Sequence, residues 1–162
     1  IPIGEEKNNT IAASLGINTA WDACDILLAR RTLSVNIGQI NNYYFLSEIR
    51  INNPDEQLEI NENYSVTINQ PASLRAINFS LDISGNPFDE FLDLYIFTKN
   101  KTALPFFSSS EEHKSYFLIK QFDINNKKAT ALIDNSLEIR SPLHVNISKQ
   151  KINLIGGKNR KF

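Results

Sequence analysis

Oxygen-bearing side chains crowd the stretch between residues 82 and 93, which makes it the part of the sequence best suited to bind a metal ion. Asp82, Asn86, Asp89 and Glu90 follow one another around a glycine and a proline. Carboxylate and amide oxygens are the ligands that Ca²⁺ takes in proteins. The spacing departs from the D-x-[DN]-x-[DN]-G pattern, and a solvated, turn-forming acidic loop is the more common outcome. We therefore predict no cofactor, with Ca²⁺ at these four residues as the alternative.

A catalytic set is not recognisable in the sequence. His113 follows a run of serines and glutamates, but a nucleophile and its base need hydrogen-bond reach and an orienting third group, which adjacency in a polar loop does not supply. His144 alternates with apolar Leu143 and Val145, so it is expected on the polar side of a strand. Neither G-x-S-x-G nor H-E-x-x-H occurs. We predict no catalytic residue and a non-enzymatic protein.

The C-terminal segment is rich in cations. Lys158, Arg160 and Lys161 precede the last residue, Phe162. A basic arm of this kind neutralises phosphates without reading a base sequence. The sequence therefore predicts contact of this tail with nucleic acid or another anionic surface.

The elements that must position these residues are mostly strands. Ile77 to Ile83 alternates apolar and polar side chains, which is typical of a half-buried strand. Phe91 to Phe97 is apolar on both alternating sets, as expected of a strand covered on two sides. The run from Ser84 to Pro87 between them indicates a turn, so the two strands are predicted to form a hairpin that seeds the core.

One helix is predicted near the start of the chain, over about residues 19–30. Asn18 or Thr19 is suited to be its N-cap. Trp21, Cys24 and the pair Leu27-Leu28 fall on one helical stripe, which predicts that Trp21 is buried and shielded from ligands. Alternatively, residues 26–28 begin a strand.

Short strands at intervals of roughly 8 to 12 residues predict an all-β fold, an antiparallel β-sandwich or jelly roll of about ten strands with one short N-terminal helix. A chain of 162 residues suits a single domain. We predict an extended N-terminal arm over residues 1–16, the β-sandwich domain over 17–155 and the basic tail over 156–162. No apolar run approaches the ~18 residues that a membrane span requires, so no span is predicted.

Composition gives limited information about the source. Cys24 is the only cysteine, which excludes an intrachain disulfide and a cysteine-based zinc site. The chain begins with Ile1 and contains no methionine, so we expect a processed form or a fragment.

Residues 51–93 carry eight acids and one base, whereas residues 120–162 carry nine bases and three acids. These two segments either form oppositely charged surfaces or interleave in space.

Function is predicted from the two arms. Their apolar residues cannot be buried by the arms themselves, so a neighbouring subunit is expected to bury them. The predicted interaction residues are Ile1, Ile3, Ile11, Lys158, Arg160, Lys161 and Phe162. We predict a homo-oligomeric structural protein located in a virion, as a capsid, penton, tail or fibre component. The alternative is a secreted or cell-surface module that binds carbohydrate, which requires exposed Trp or Tyr platforms.

Overall fold

The computed structural model describes residues 9–83, 85–101 and 110–162. Within these ranges the chain forms two helices and twelve strands. They are α1 (Thr10–Ser14), α2 (Ala20–Ala29), β1 (Thr32–Ile40), β2 (Tyr43–Phe45), β3 (Glu48–Asn52), β4 (Gln57–Ile60), β5 (Tyr64–Thr67), β6 (Ala72–Ile77), β7 (Leu92–Lys101), β8 (Ser110–Ile119), β9 (Gln121–Ile124), β10 (Thr130–Ile133), β11 (Leu137–Arg140) and β12 (Leu143–Ile155).

Two six-stranded antiparallel sheets face each other. Sheet A has the strand order β2-β1-β12-β9-β4-β5, and sheet B has the order β11-β10-β3-β6-β7-β8. Side chains from both inner faces form one core, in which Phe45, Phe122, Ile49 and Leu94 are almost fully buried. The predicted all-β antiparallel sandwich is confirmed, with twelve described strands rather than about ten and two described helices rather than one.

The central hairpin forms, but its first strand is earlier in the chain than predicted. β6 pairs with β7 and ends at Ile77, which lies opposite Asp93. Asn78 then leaves the strand because its side-chain amide donates to the carbonyls of Asn36 and Leu46, each at 2.8 Å. The described residues between Ile77 and Leu92 are therefore a connection between β6 and β7, and the predicted strand over 77–83 is wrong.

The boundaries of α2 follow from local chemistry. The Thr19 hydroxyl accepts from the backbone N–H of Asp22 at 3.1 Å, and the Asp22 carboxylate accepts from the N–H of Thr19 at 2.9 Å. This reciprocal pair is a capping box, which satisfies two of the free N–H groups at the start of a helix. Arg30 ends the helix in the left-handed conformation, at φ 51°.

The orientation of α2 differs from the prediction. Ala23 is buried and Ile26 is half-buried, whereas Trp21 is 81% exposed and Leu28 is 79% exposed. The prediction that Trp21 is buried is therefore wrong. The reason is that the helix packs through its small residue Ala23, so the larger apolar side chains face outward. Within the described residues, no helix has the length and apolar character needed to cross a membrane.

The C-terminal segment packs against α1 of its own chain. The backbone N–H of Gly157 donates to the carbonyl of Leu15, and that of Lys161 donates to the carbonyl of Ser14, both at 2.9 Å. Phe162 stacks on Phe79 with ring centroids 4.5 Å apart.

The predicted interaction residues are placed as follows. Ile11, Arg160 and Phe162 are partly buried within this chain, Lys158 and Lys161 are exposed, and Ile1 and Ile3 lie outside the described residues. Self-association and contact of the tail with an anionic surface stay predictions.

Candidate functional site

One end of sheet B gathers four carboxylates from distant parts of the sequence. Glu48 lies opposite Ile77, and Ile77 lies opposite Asp93, so both carboxylates come from the same end of the sheet. Asp134 follows β10 at this end, and Asp82, in the connection between β6 and β7, is bonded to Arg75 of β6. We call this group, together with Arg75 and Tyr116, the carboxylate end of sheet B.

A buried ion pair organises the middle of this group. Glu48 is 3% exposed and accepts a 2.9 Å hydrogen bond from Nε of Arg75. Nη1 of Arg75 donates to Asp82 at 2.8 Å, so the guanidinium bridges the two carboxylates. The hydrogen bond from Arg75 holds the pKa of Asp82 well below its usual range, with a further contribution from the Ser80 hydroxyl at 2.6 Å. Asp82 is thus a fixed anion rather than a proton acceptor at neutral pH.

Asp93 and Tyr116 form a second pair on the outer face of the sheet. The Tyr116 hydroxyl donates to Oδ1 of Asp93 at 2.6 Å. Asp93 is 8% exposed, and its burial raises the pKa of the carboxyl group. Burial and the bond to Asp93 also raise the pKa of Tyr116, although half of the Tyr116 side chain is exposed. A half-exposed hydroxyl joined to a buried carboxylate is suited to accept and pass on a proton.

Basic and apolar side chains surround this pair. The Tyr95 ring lies 5.1 Å from that of Tyr116, and Nζ of Lys114 lies 4.1 Å from the centre of the Tyr95 ring. Leu118 is two residues after Tyr116 on β8, so it shares the same face, and it is 49% exposed. The face therefore presents a cation, a hydroxyl and an apolar surface side by side.

Asp134 lies at the same end of sheet B, but its carboxylate bonds to backbone N–H groups rather than to side chains. It lies in the turn between β10 and β11 with φ 45°, and its carboxylate accepts from the N–H groups of Leu46, Ser47 and Glu48 at 2.8, 2.9 and 3.0 Å. Burial raises the pKa of Asp134 despite these three donors. Because both of its oxygens are occupied, we interpret Asp134 as a positioning residue that fixes the start of β3.

The predicted calcium residues are spread among separate partners. Asp82 binds Arg75, Asn86 accepts from the N–H of Phe88 at 3.2 Å, Asp89 accepts from the N–H of Phe91 at 3.1 Å, and Glu90 lies 3.4 Å from Nζ of Lys151. In the parts of the chain that the structure describes, no group of three His, Cys, Asp or Glu side chains is arranged to hold a metal ion. Calcium at these residues stays a prediction.

Sequence reasoning missed the groups that come together here. Glu48 and Arg75 each occupy a polar position of an alternating strand pattern, which is the position of an ordinary surface residue. Asp93 and Tyr116 lie in largely apolar strands, and nothing in the sequence marks them as neighbours. Their convergence depends on the pairing of β3, β6, β7 and β8, which the sequence alone does not fix. A detectable signal was the Asp93 carboxylate within an otherwise apolar strand.

We expect the Asp93→Asn variant to be more stable than the wild type at pH 7. A raised pKa means that the folded protein retains a proton that the unfolded chain releases, so stability falls as pH rises from the ordinary carboxyl value through the raised one. Asparagine carries no charge and still accepts from Tyr116, so it avoids this loss. Denaturant unfolding should show the gain at pH 7 and its disappearance below about pH 3, where both states of Asp93 are protonated.

The matched control is Asp25→Asn, which changes an exposed carboxylate on α2. It should leave the free energy of unfolding nearly unchanged at pH 7. If Asp93→Asn instead lowers stability by the same amount at every pH, the carboxylate does not carry the electrostatic cost assigned to it.

Comparison with known proteins identifies the fold. No protein-family model matches the sequence, and no curated protein matches it. A crystal structure of a diacylglycerol kinase from Bacillus anthracis str. Sterne superposes over 94% of this chain and 65% of its own, with a TM-score of 0.69 and 14% identity. Two further structures from the same organism, also assigned as diacylglycerol kinases, have TM-scores of 0.72 with 12% and 11% identity. They superpose over 94% of this chain and 66% and 67% of theirs.

These neighbours correct the functional predictions. The structures that share the fold are described as kinases, so the predictions of a virion structural protein, of a virion location and of a non-enzymatic protein are wrong. The same comparison gives no support to a carbohydrate-binding module. The error has a physical cause, because a β-sandwich hosts many functions and fold class alone does not select among them. The chain spans 65% and 66% of the length of the first two neighbours, just under two thirds.

Proposed function

We propose that this chain is the β-sandwich part of a diacylglycerol-kinase-like enzyme, which transfers a phosphoryl group from a nucleotide to the hydroxyl of a lipid. The observation that carries the proposal is the likeness of 94% of the chain to the three kinase structures. The sequence contains neither G-x-x-x-x-G-K nor G-x-G-x-x-G. We therefore assign the nucleotide to the part of the kinase fold that this chain does not cover.

The carboxylate end of sheet B supplies the acceptor side of this reaction. The lipid hydroxyl oxygen attacks the terminal phosphorus of the nucleotide, and the bond from that phosphorus to the leaving diphosphate breaks. The hydroxyl proton passes to Oη of Tyr116 while the proton of Tyr116 passes to Oδ1 of Asp93. Their separation of 2.6 Å and the raised pKa of Asp93 support this route.

The neighbouring side chains suit a lipid acceptor. Leu118 and the ring of Tyr116, each about half exposed, provide an apolar surface beside the reacting hydroxyl. Lys114 places positive charge on the same face, where charge develops on the transferred group, whereas the charge of Arg50 is paired with Glu48. Glu48 and Asp82 keep Arg75 in place and leave its charge balanced.

We expect the natural protein in which this sequence occurs to phosphorylate a lipid hydroxyl. The measurement incubates it with Mg²⁺ and ATP labelled in the terminal phosphate, and with either diacylglycerol in mixed micelles or glycerol in water. Label should enter diacylglycerol and not glycerol, because the exposed apolar surface recognises the acyl part of the acceptor. Absence of transfer to diacylglycerol would overturn the proposed function, and equal transfer to glycerol would overturn the role of the apolar surface.

A further inference from the structure

A polar cavity opens on sheet A, where the connection between β6 and β7 contributes Glu90 to its lining. Its volume is about 680 Å³. It opens where β1 and β12 pair irregularly, because Asn36 lies opposite Lys151 and Gly38 lies opposite Ile147. Three residues of β12 therefore face the single residue Ile37 of β1. Bulges of this kind occur next to functional sites, where they redirect side chains.

Cations dominate the charge of the cavity lining. Lys120, Lys149 and Lys151 line it together with one acid, Glu90. Glu90 lies 3.4 Å from Lys151, and Lys120 lies 5.2 Å from the centre of the Phe91 ring. Lys149 is exposed and makes no ion pair within the described parts of the chain. The cavity thus retains uncompensated positive charge.

Neutral hydrogen-bonding groups complete the lining. Asn36 is 1% exposed, and its side-chain nitrogen is a buried donor without a hydrogen-bond partner among the described residues. A buried donor of this kind is uncommon in folded proteins and calls for an acceptor. Gln39, Asn146 and the half-exposed Tyr44 line the same cavity, whereas Ile147 is its apolar member. Apart from Ile147, every lining residue carries a polar group, which suits a polar ligand.

We propose that this cavity binds a phosphate monoester. The phosphate dianion offers several acceptor oxygens to Lys149 and Lys151, and lysine binds phosphate as a point charge. Donors and acceptors of Gln39, Asn146 and Tyr44 suit hydroxyl groups on the organic part of the ester. The chemistry is shared by a water-soluble phosphate ester and by the headgroup of a phosphomonoester lipid.

The experiment measures binding to the 162-residue chain in two arms. Calorimetric titration uses glycerol 3-phosphate, with inorganic phosphate as the simplest probe. Vesicle flotation compares phosphatidylcholine vesicles that contain phosphatidic acid with vesicles of phosphatidylcholine alone. Saturable binding of glycerol 3-phosphate assigns the site to soluble esters, and binding only to the phosphatidic acid vesicles assigns it to the lipid headgroup.

Substitutions at Lys149 decide between this site and general charge attraction. Lys149→Gln should weaken binding about tenfold, because one charge-assisted contact to phosphate is lost, and Lys149→Glu should weaken it further. The matched control is Lys127→Gln, an exposed lysine in the turn after β9, which should leave binding unchanged. Lack of saturable binding in both arms would overturn the proposal, as would equal losses in Lys149→Gln and Lys127→Gln.

Discussion

Replacement of Gly38 by alanine should destabilise the sandwich by about 3 kcal/mol, at the upper end of the usual cost of overpacking a core. A Cβ atom at this position would overlap Cζ, Cε1 and Cε2 of the Phe45 ring. Phe45 is 1% exposed and belongs to the core between the two sheets, so its ring has no free space to move into. The free energy of unfolding measured in denaturant gives the effect directly.

Two further variants test whether the Phe45 ring is the cause. Phe45→Leu in the Gly38→Ala background should recover part of the loss, since a smaller side chain admits the added methyl group. Gly156→Ala is the control, because the closest atom to its Cβ would be the end of a flexible side chain, Cδ1 of Leu33 at 2.9 Å. A loss at Gly38 no larger than that at Gly156 would show that the Phe45 ring does not fill the space beside β1.

Glu48→Ala should cost about 3 kcal/mol, which is typical when one partner of a buried ion pair is removed. Glu48 is 3% exposed and Arg75 is largely buried, so the guanidinium would keep only Asp82 and Ser80 as polar partners. Denaturant unfolding of the variant at pH 7 measures this cost. The matched control is Glu138→Ala on β11, where the side chain is exposed and the change should stay within about 0.5 kcal/mol.

A double-mutant cycle separates the ion pair from simple loss of packing. Arg75→Met in the Glu48→Ala background should cost less than Arg75→Met alone, because the charge it removes has already lost its main partner. If the two costs add without coupling, Glu48 stabilises the sheet through its side-chain packing or its ion pair with Arg50, and not through Arg75.

Local signals in the sequence were sufficient for several elements. The alternation of apolar residues predicted the β-sandwich because it depends only on the period of a strand. The N-cap preference of Asn18 or Thr19 predicted the start of α2, and the structure places the cap at Thr19, because capping involves only neighbouring residues. These parts of the fold are determined within short windows of sequence.

Other features depend on contacts between distant residues and could not be predicted. The alternating pattern continues to Ile83, but β6 ends at Ile77 because Asn78 bonds to Asn36, 42 residues earlier. Trp21 lies on an apolar stripe, yet the helix packs through Ala23, and the sequence does not specify which face meets the sheet.

The candidate site was missed for the same reason. Asp93 and Tyr116 meet because Tyr95 lies opposite Tyr116 in the β7–β8 pair. This register is set by the pairing of two strands and cannot be derived from either strand alone. Glu48 and Arg75 meet through the β3–β6 pair. These residues cannot be assigned to one site until the register of the strands is known.

The most direct test of the central claim is the rate of phosphoryl transfer to diacylglycerol in variants of Asp93 and Tyr116. Asp93→Asn and Tyr116→Phe should each lower kcat about 100-fold, as expected for loss of a general base, and the double variant should be no slower than the single ones because the two groups act as a unit. Tyr64→Phe, a change at an exposed tyrosine on sheet A, should leave kcat unchanged. Wild-type rates in both Asp93→Asn and Tyr116→Phe would contradict the account.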